Sequence, residues 1–227
     1  MPTHLLDNMP WHSLSGVHAR FSVGGDTARR YAPGFSPILG FANLAQPDWG
    51  ALAAHCEPGE HLYMSGWAGT VPDGWAVDMD DRLHQLVWSG PGPAQRDFAD
   101  AVPLGAEHVP QMLELVALTR PGPFGERTLE LGHYVGVVEA GRLIAMAGER
   151  MAAGTLVEIS AVCTRPECQG RGLARRLMEL LIQRQLRAGV LPFLHVMADN
   201  HRARDIYLRM GFQAHQELPL RVVSRKP

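Results

Sequence analysis

In the second half of the chain, apolar residues recur with the period of a helix in some segments and with the pattern of a strand in others. Apolar residues recur at helical spacing over 105–119, on one face of a predicted helix; these are Val109, Met112, Leu113, Val116 and Ala117. Strand-like runs then follow on either side of Ala140–Gly141, and a short turn at Ala153–Gly154 leads to a run rich in β-branched residues over 155–164. The pattern predicts three antiparallel strands in a meander.

Helix and strand signals alternate after this meander. A glycine-containing segment at 169–174 precedes a helical pattern that Gly189 is placed to end. A buried strand is predicted over 192–198, followed by a helix capped by Asn200 and closed by Gly211, and a last strand begins at Phe212. The order β-β-β-α-β-α-β predicts an α/β fold of α+β type, with a mixed sheet flanked by helices.

The first half is less clearly patterned. Helix and strand signals are mixed there, and residues 89–97 contain two prolines and two glycines between apolar segments, as a linker or long turn would. We therefore predict an N-terminal α+β domain over 1–97 and a second domain over 98–227.

The composition of the chain argues against several classes of function. The formal charge of −2 gives no basic field for a nucleic-acid backbone, and no segment has the length of apolar sequence that a membrane span requires. Three cysteines and eleven scattered histidines do not form a disulfide framework or a zinc-binding spacing. We expect a cytoplasmic protein with no nucleic-acid partner, no membrane partner and no metal.

The segment 169–174, QGRGLA, has the features of an anion site. A glycine-rich connection into a helix exposes unpaired backbone N–H groups at the positive end of the helix dipole. Gly170 and Gly172 permit positive φ and close approach, and Ala174 keeps the first turn small, while Arg171 and Arg175 add positive charge. An ordinary turn with a helix cap is the alternative interpretation, and neither a Walker motif nor a complete dinucleotide fingerprint is present.

Two motifs resemble those of the GNAT superfamily of acyl-CoA-dependent N-acyltransferases. Gln169-x-x-Gly172-x-Ala174 is similar to the family's pyrophosphate loop, and Asn200-x-x-Ala203-x-x-Ile206-Tyr207-x-x-x-Gly211-Phe212 is similar to its cofactor-side helix. The resemblance covers about residues 105 to 225. It implies that two central parallel strands, 156–164 and 192–197, splay into a V, and it leaves open that the N-terminal half is a degenerate copy of the same fold.

The resemblance also implies a cofactor site. The pantetheine arm of acetyl-CoA, the expected cosubstrate, would pair with the backbone of Val162, Cys163 and Thr164 as an added strand does. The remaining residues that we expect to bind it are Gln169, Gly170, Arg171, Gly172, Leu173, Ala174, Arg175, Asn200, Ala203 and Tyr207.

Three side chains are candidates for catalysis. Glu158 is expected beneath the thioester as a general base, and a two-residue turn at Ala153–Gly154 would place Glu149 opposite it on the same sheet face. Tyr207 is the family's position for a proton donor to the thiolate. The alternatives are that the glutamates form salt bridges, for example with Arg150, and that Tyr207 is a core aromatic.

The function implied is transfer of an acetyl group from acetyl-CoA to an amine of a small molecule or an amino-acid-like acceptor. The alternative from another class is a non-catalytic module that binds acyl-CoA and regulates a partner. A homodimer is the candidate assembly.

Overall fold

A computed structural model describes residues 3–93 and 98–227, so part of the predicted linker, residues 94–97, lies outside the described residues. The α-helices of the described part are α1 (Met9–Ser15), α2 (Trp49–Ala53), α3 (Val109–Thr119), α4 (Leu173–Arg187) and α5 (His201–Met210). Its strands are β1 (Ser22–Gly24), β2 (Ala28–Tyr31), β3 (Leu39–Phe41), β4 (Leu62–Ser65), β5 (Trp75–Trp88), β6 (Ala101–Pro103), β7 (Tyr134–Glu139), β8 (Arg142–Ala153), β9 (Leu156–Thr164), β10 (Leu191–Met197) and β11 (Phe212–Arg225). None of the helices in these ranges is long and apolar enough to cross a membrane.

Eight strands form one mixed sheet in the order β4-β11-β5-β10-β9-β8-β7-β6, and β1-β2-β3 form a small second sheet. In the large sheet β9 and β10 pair in parallel, and the other strand pairs are antiparallel. The predicted meander β7-β8-β9 and the predicted mixed α/β fold are confirmed. Because β4 and β5 precede residue 98 and yet lie in this sheet, both predicted domains contribute to one sheet, and the division near residue 98 stays a prediction.

Apolar residues cover both faces of the large sheet. On one face α4 packs Leu177 and Leu181 against Ile159 and Leu194. On the other face the N-terminal segment packs against Met151 and Phe193, through residues that include Leu6, Met9, Leu14 and Tyr31. We call these the α4 face and the N-terminal face.

The β8–β9 hairpin differs in register from the prediction. Its turn is Gly154–Thr155 rather than Ala153–Gly154, since Ala153 pairs with Leu156. A bulge follows, in which Arg150 and Met151 together oppose Glu158, so that Glu149 pairs with Ile159. The prediction that Glu149 lies opposite Glu158 on the same face is therefore wrong: the extra residue in β8 brings Arg150 to Glu158 instead.

The parallel pairing of β9 and β10 stops at Glu158 and Phe193. Beyond that point β9 contains a second bulge, where Ala161 and Val162 oppose a single residue of β8 and Ala161 has a φ of 52°. A bulge bends its strand and leaves one residue without a ladder partner. The two strands thus separate toward their carboxyl ends, which is the predicted V-shaped splay.

Candidate active site

The segment before α4 has the backbone geometry that an anion site needs. Gly170 and Gly172 have φ values of 80° and 73°, a region that L-residues other than glycine enter at a cost. The helix begins at Leu173, so its first N–H groups have no acceptor within the helix. An added Cβ at either glycine would meet no atom within 4 Å, so it is the positive φ rather than crowding that favours glycine at both positions. The residues present therefore fit a pyrophosphate.

Helix α5 places Tyr207 at the split between the strands. Its first turn is capped by Asn200, whose Oδ1 accepts a hydrogen bond from the Ala203 N–H at 3.1 Å. The Tyr207 ring is partly buried and lies edge-on to Phe212, with 6.3 Å between ring centroids. Burial, with a smaller contribution from Cys163, raises the pKa of Tyr207 to about 12. The phenol thus retains its proton at neutral pH and can act as a donor.

A cavity of about 830 Å³ passes through the split. It runs from the N-terminus of α4, past Val162 and Tyr207, to residues of the N-terminal face such as Ile38 and Met151. The structure brings together at this cavity every residue that we expected to bind the cofactor, with the exception of Arg171. One continuous space therefore connects the candidate phosphate site to the opposite face of the sheet.

Arg171 is directed away from the cavity. Its guanidinium donates to both carboxylate oxygens of Glu139 on β7, one of them at 3.0 Å. The pairing lowers the pKa of Glu139 through this hydrogen bond. Arg175, Arg202 and Arg209 instead line the cavity near α4 and α5, where they can supply positive charge to phosphate groups.

Glu158 is fully buried in a charged network on the N-terminal face. Arg150 donates two hydrogen bonds to its carboxylate, at 2.8 and 3.0 Å, and His195 Nδ1 lies 2.8 Å from Oε1. Burial by itself would raise the Glu158 pKa, but the attraction of Arg150 and the hydrogen bonds from His195 and Arg150 outweigh it and lower the pKa to about 2. A carboxylate held in this way is a poor proton acceptor at neutral pH.

His195 lines the cavity beside this network. Gln85 Nε2 lies 3.0 Å from His195 Nε2 and also donates to the Leu6 carbonyl oxygen, while Gln85 Oε1 accepts from Gln216. Since the Gln85 amide nitrogen can only donate, His195 Nε2 accepts and Nδ1 carries the proton that is donated to Glu158. Both ring nitrogens are therefore occupied.

Glu149 lies on the α4 face, away from the cavity. Its carboxylate accepts hydrogen bonds from the His133 N–H at 3.1 Å and from Gln185 Nε2 at 3.0 Å, and Arg184 Nη1 is 3.4 Å away. These contacts tie α4 to β8. Glu149 therefore holds two elements of the fold together and does not contact the split.

Sequence reasoning missed the first-half residues that line the far end of the cavity, namely Pro10, Ile38, Tyr63, Met64, Ser65, Met79 and Leu83. Three tryptophans of the first half, Trp49, Trp67 and Trp75, share one buried cluster. The sequence of 75–88 has a strand pattern, which was the one signal that could have pointed to Met79 and Leu83. The pairing of this strand with β10 and β11 is long-range and cannot be read from the local sequence.

The comparisons with known proteins agree with this geometry. A family model described as FR47-like protein matches residues 134–220. A crystal structure described as an acetyltransferase of the GNAT family from Novosphingobium aromaticivorans is 34% identical, covers 99% of this chain and 100% of its own, and superposes with a TM-score of 0.91. This chain belongs to the GNAT family. The resemblance inferred from the two motifs is thereby confirmed.

More distant GNAT proteins share the fold or a part of the sequence. A GCN5-related N-acetyltransferase from Kribbella flavida is 16% identical, with a TM-score of 0.61 over 96% of this chain and 94% of its own. The N-alpha-acetyltransferase RimI of Mycobacterium tuberculosis is 37% identical over 84 residues, which are 36% of this chain and 52% of RimI. This GNAT chain thus matches only about half the length of that curated relative.

Substituting alanine for Gly172 tests the phosphate site. Gly141, in the exposed turn between β7 and β8, has a φ of 76° and equally open space, so Gly141→Ala is a matched control. Alanine in this region is expected to lower the free energy of unfolding by about 1–2 kcal/mol in both variants. Only Gly172→Ala should also weaken CoA binding, by about tenfold or more in calorimetry, because it disturbs the N–H groups of α4. Equal CoA affinity in the two variants would contradict the assignment.

Proposed function

We propose that this protein transfers the acetyl group of acetyl-CoA to a primary amine of a small molecule. The observation that supports this best is the continuous cavity through the β9–β10 split, because it joins an anion site at α4 to a separate space on the N-terminal face. A cosubstrate and an acceptor can enter such a cavity from opposite faces of the sheet and meet at the split.

Acetyl-CoA would supply an activated acetyl group as a thioester. The N-terminus of α4 and Arg175 fit its pyrophosphate, and the unpaired edge of β9 at Val162, Cys163 and Thr164 fits the amide groups of its pantetheine arm. The backbone N–H groups near the Ala161 bulge are candidates to polarise the thioester carbonyl.

The reaction that we propose is direct attack. The neutral amine nitrogen forms a bond to the acetyl carbon, the carbon–sulfur bond breaks, and the nitrogen releases one proton to solvent and keeps the other as the amide N–H. Tyr207 donates its phenolic proton to the leaving sulfur and recovers a proton from water. Its pKa of about 12 is above that of a thiol, so Tyr207 assists by hydrogen bonding to the sulfur as well as by proton transfer.

The role that we propose for Glu158 differs from the expected general base. Its pKa of about 2 and its contacts with Arg150 and His195 favour a positioning residue. It would fix the part of the cavity beside the last β9–β10 pair, Glu158 with Phe193, which we call the waist. The neutral amine would then come from the surroundings of the acceptor, since an apolar site lowers the pKa of an ammonium group.

The second candidate function is a non-catalytic acyl-CoA-binding module. It is favoured because no free carboxylate lines the waist among the residues that the structure describes. Both functions require CoA binding, so turnover separates them. The test is release of free thiol from acetyl-CoA by the purified protein with a panel of amines. Amine-dependent release supports the transferase, whereas CoA binding in calorimetry without release from any amine supports the binding module.

A further inference from the structure

The end of the cavity on the N-terminal face has an apolar wall. Both halves of the chain contribute side chains to it. We call six of these residues the acceptor wall: Ile38, Tyr63, Met79, Leu83, Met151 and Leu220. Ile38 and Met151 belong to the core of the N-terminal face, and Tyr63 packs against that core. The wall therefore lies on the side of the sheet opposite α4.

The charged side chains that line the cavity, among the residues that the structure describes, are basic. No Asp or Glu is among the cavity-lining residues within the described ranges 3–93 and 98–227. Glu158 is fully buried at the waist, and its carboxylate is held by Arg150 and His195. Asp81 pairs with Leu220 across β5 and β11 and shares the face of Met79 and Leu83, but it does not line the cavity. Its Oδ1 accepts a hydrogen bond from the Arg82 N–H at 2.7 Å.

Arg120 supplies an available positive charge at this end. It lines the cavity as an exposed residue and, in the described part of the chain, forms no salt bridge. Its backbone has a φ of 49° at the end of α3, and the loop that follows packs onto the N-terminal face: Ser36 Oγ donates to the Pro123 carbonyl oxygen at 2.9 Å. A Cβ added to Gly122 would lie 3.8 Å from Arg150 Nη1, which places this loop beside the waist.

We propose that the acceptor is a hydrophobic amino acid: a primary amine that carries an apolar side chain for the acceptor wall and a carboxylate for Arg120. This proposal rests on the proposed acetyl transfer and names its substrate class. A second ammonium group, as in lysine or a polyamine, would enter an apolar wall where no carboxylate lines the cavity among the described residues, and an unpaired buried charge is strongly disfavoured. The same wall favours the neutral form of the single amine that must attack.

The test compares acceptors that differ in one group. Thiol release from acetyl-CoA is measured at fixed pH with leucine, with 3-methylbutylamine, which lacks only the carboxylate, with lysine and 1,4-diaminobutane, and with a C-terminally amidated peptide that begins with leucine. We expect kcat/KM for leucine to exceed that for lysine and the diamine by at least about 100-fold. We also expect it to exceed that for 3-methylbutylamine by about tenfold, the contribution of one charge-assisted contact.

Two variants and one control variant identify the groups responsible. Arg120→Gln should raise KM for leucine about tenfold and leave kinetics with 3-methylbutylamine unchanged, whereas Arg187→Gln, an exposed position on α4 that does not line the cavity, should change neither. Met79→Glu, at a partly buried position of the wall, adds a carboxylate and should shift the preference toward lysine and the diamine.

The outcomes separate this proposal from the one on which it rests. Preference for lysine, the diamine or the peptide would overturn the acceptor class while leaving acetyl transfer in place. Equal loss of leucine and 3-methylbutylamine activity in Arg120→Gln would overturn the role of Arg120. No thiol release from any acceptor, with CoA binding intact, would overturn the proposed function and the acceptor class with it.

Discussion

Tyr207→Phe is expected to lower kcat by about 100-fold while leaving the affinity for CoA unchanged. The substitution removes the only atom of the side chain that can donate a proton and keeps the ring that packs against Phe212. Loss of a general acid typically reduces rate by about 10²–10⁴-fold. Steady-state thiol release gives kcat, and calorimetry with CoA gives the affinity.

Tyr134→Phe is the matched control for this prediction. The Tyr134 hydroxyl is buried and has no hydrogen-bond partner among the described residues, and the side chain does not line the cavity. Removal of this hydroxyl should leave both kcat and the affinity for CoA unchanged. If the two variants have the same kcat as the unmodified protein, Tyr207 is not the proton donor. Because the pKa of Tyr207 is about 12, the activity of the unmodified protein should not fall with rising pH through loss of this proton until the pH approaches that value.

The two signature motifs allowed much of the fold and of the cofactor side to be predicted. Gln169 to Arg175 and Asn200 to Tyr207 are local patterns, in which a glycine pair and an Asn cap act on residues a few positions away. Their placement at one cavity follows from the order of strands and helices. This is why most of the predicted cofactor-binding residues meet there, while Arg171, whose partner Glu139 lies 32 residues away, does not.

Glu158 and Glu149, the two carboxylates that the sequence offered as candidates for catalysis, show which features of the site could not be predicted from sequence. A single extra residue in β8 moves Arg150 onto Glu158 and puts Glu149 on the α4 face. A bulge has no dependable sequence signal, and a shift of one residue exchanges the faces of a strand. The acceptor wall was missed for a related reason: Met79 and Leu220 come together only through the long-range pairing of β5 with β11.

Glu158→Gln is expected to lower the free energy of unfolding by about 3–5 kcal/mol, because it leaves Arg150 buried without its partner charge. Arg150→Met should cost a similar amount by leaving the Glu158 carboxylate uncompensated. The double variant Arg150→Met/Glu158→Gln should recover part of the loss, since no unpaired charge remains. Denaturant unfolding of the four proteins gives the coupling directly, and additive losses would show that the pair does not act as a unit.

The pH dependence of stability provides a second test of the same pair. The Glu158 pKa in the folded protein, about 2, lies below the ordinary value of 4.5, so the pair contributes stability that is fully present above about pH 4.5 and is lost as the pH falls toward about 2. The Glu158→Gln variant has no such group and should lose less stability across this window. At a temperature where this variant remains folded, a positioning role predicts a fall in kcat of less than about tenfold. A fall of about 10²–10⁴-fold, together with a changed acidic limb of the rate profile, would instead make Glu158 the general base that the sequence suggested.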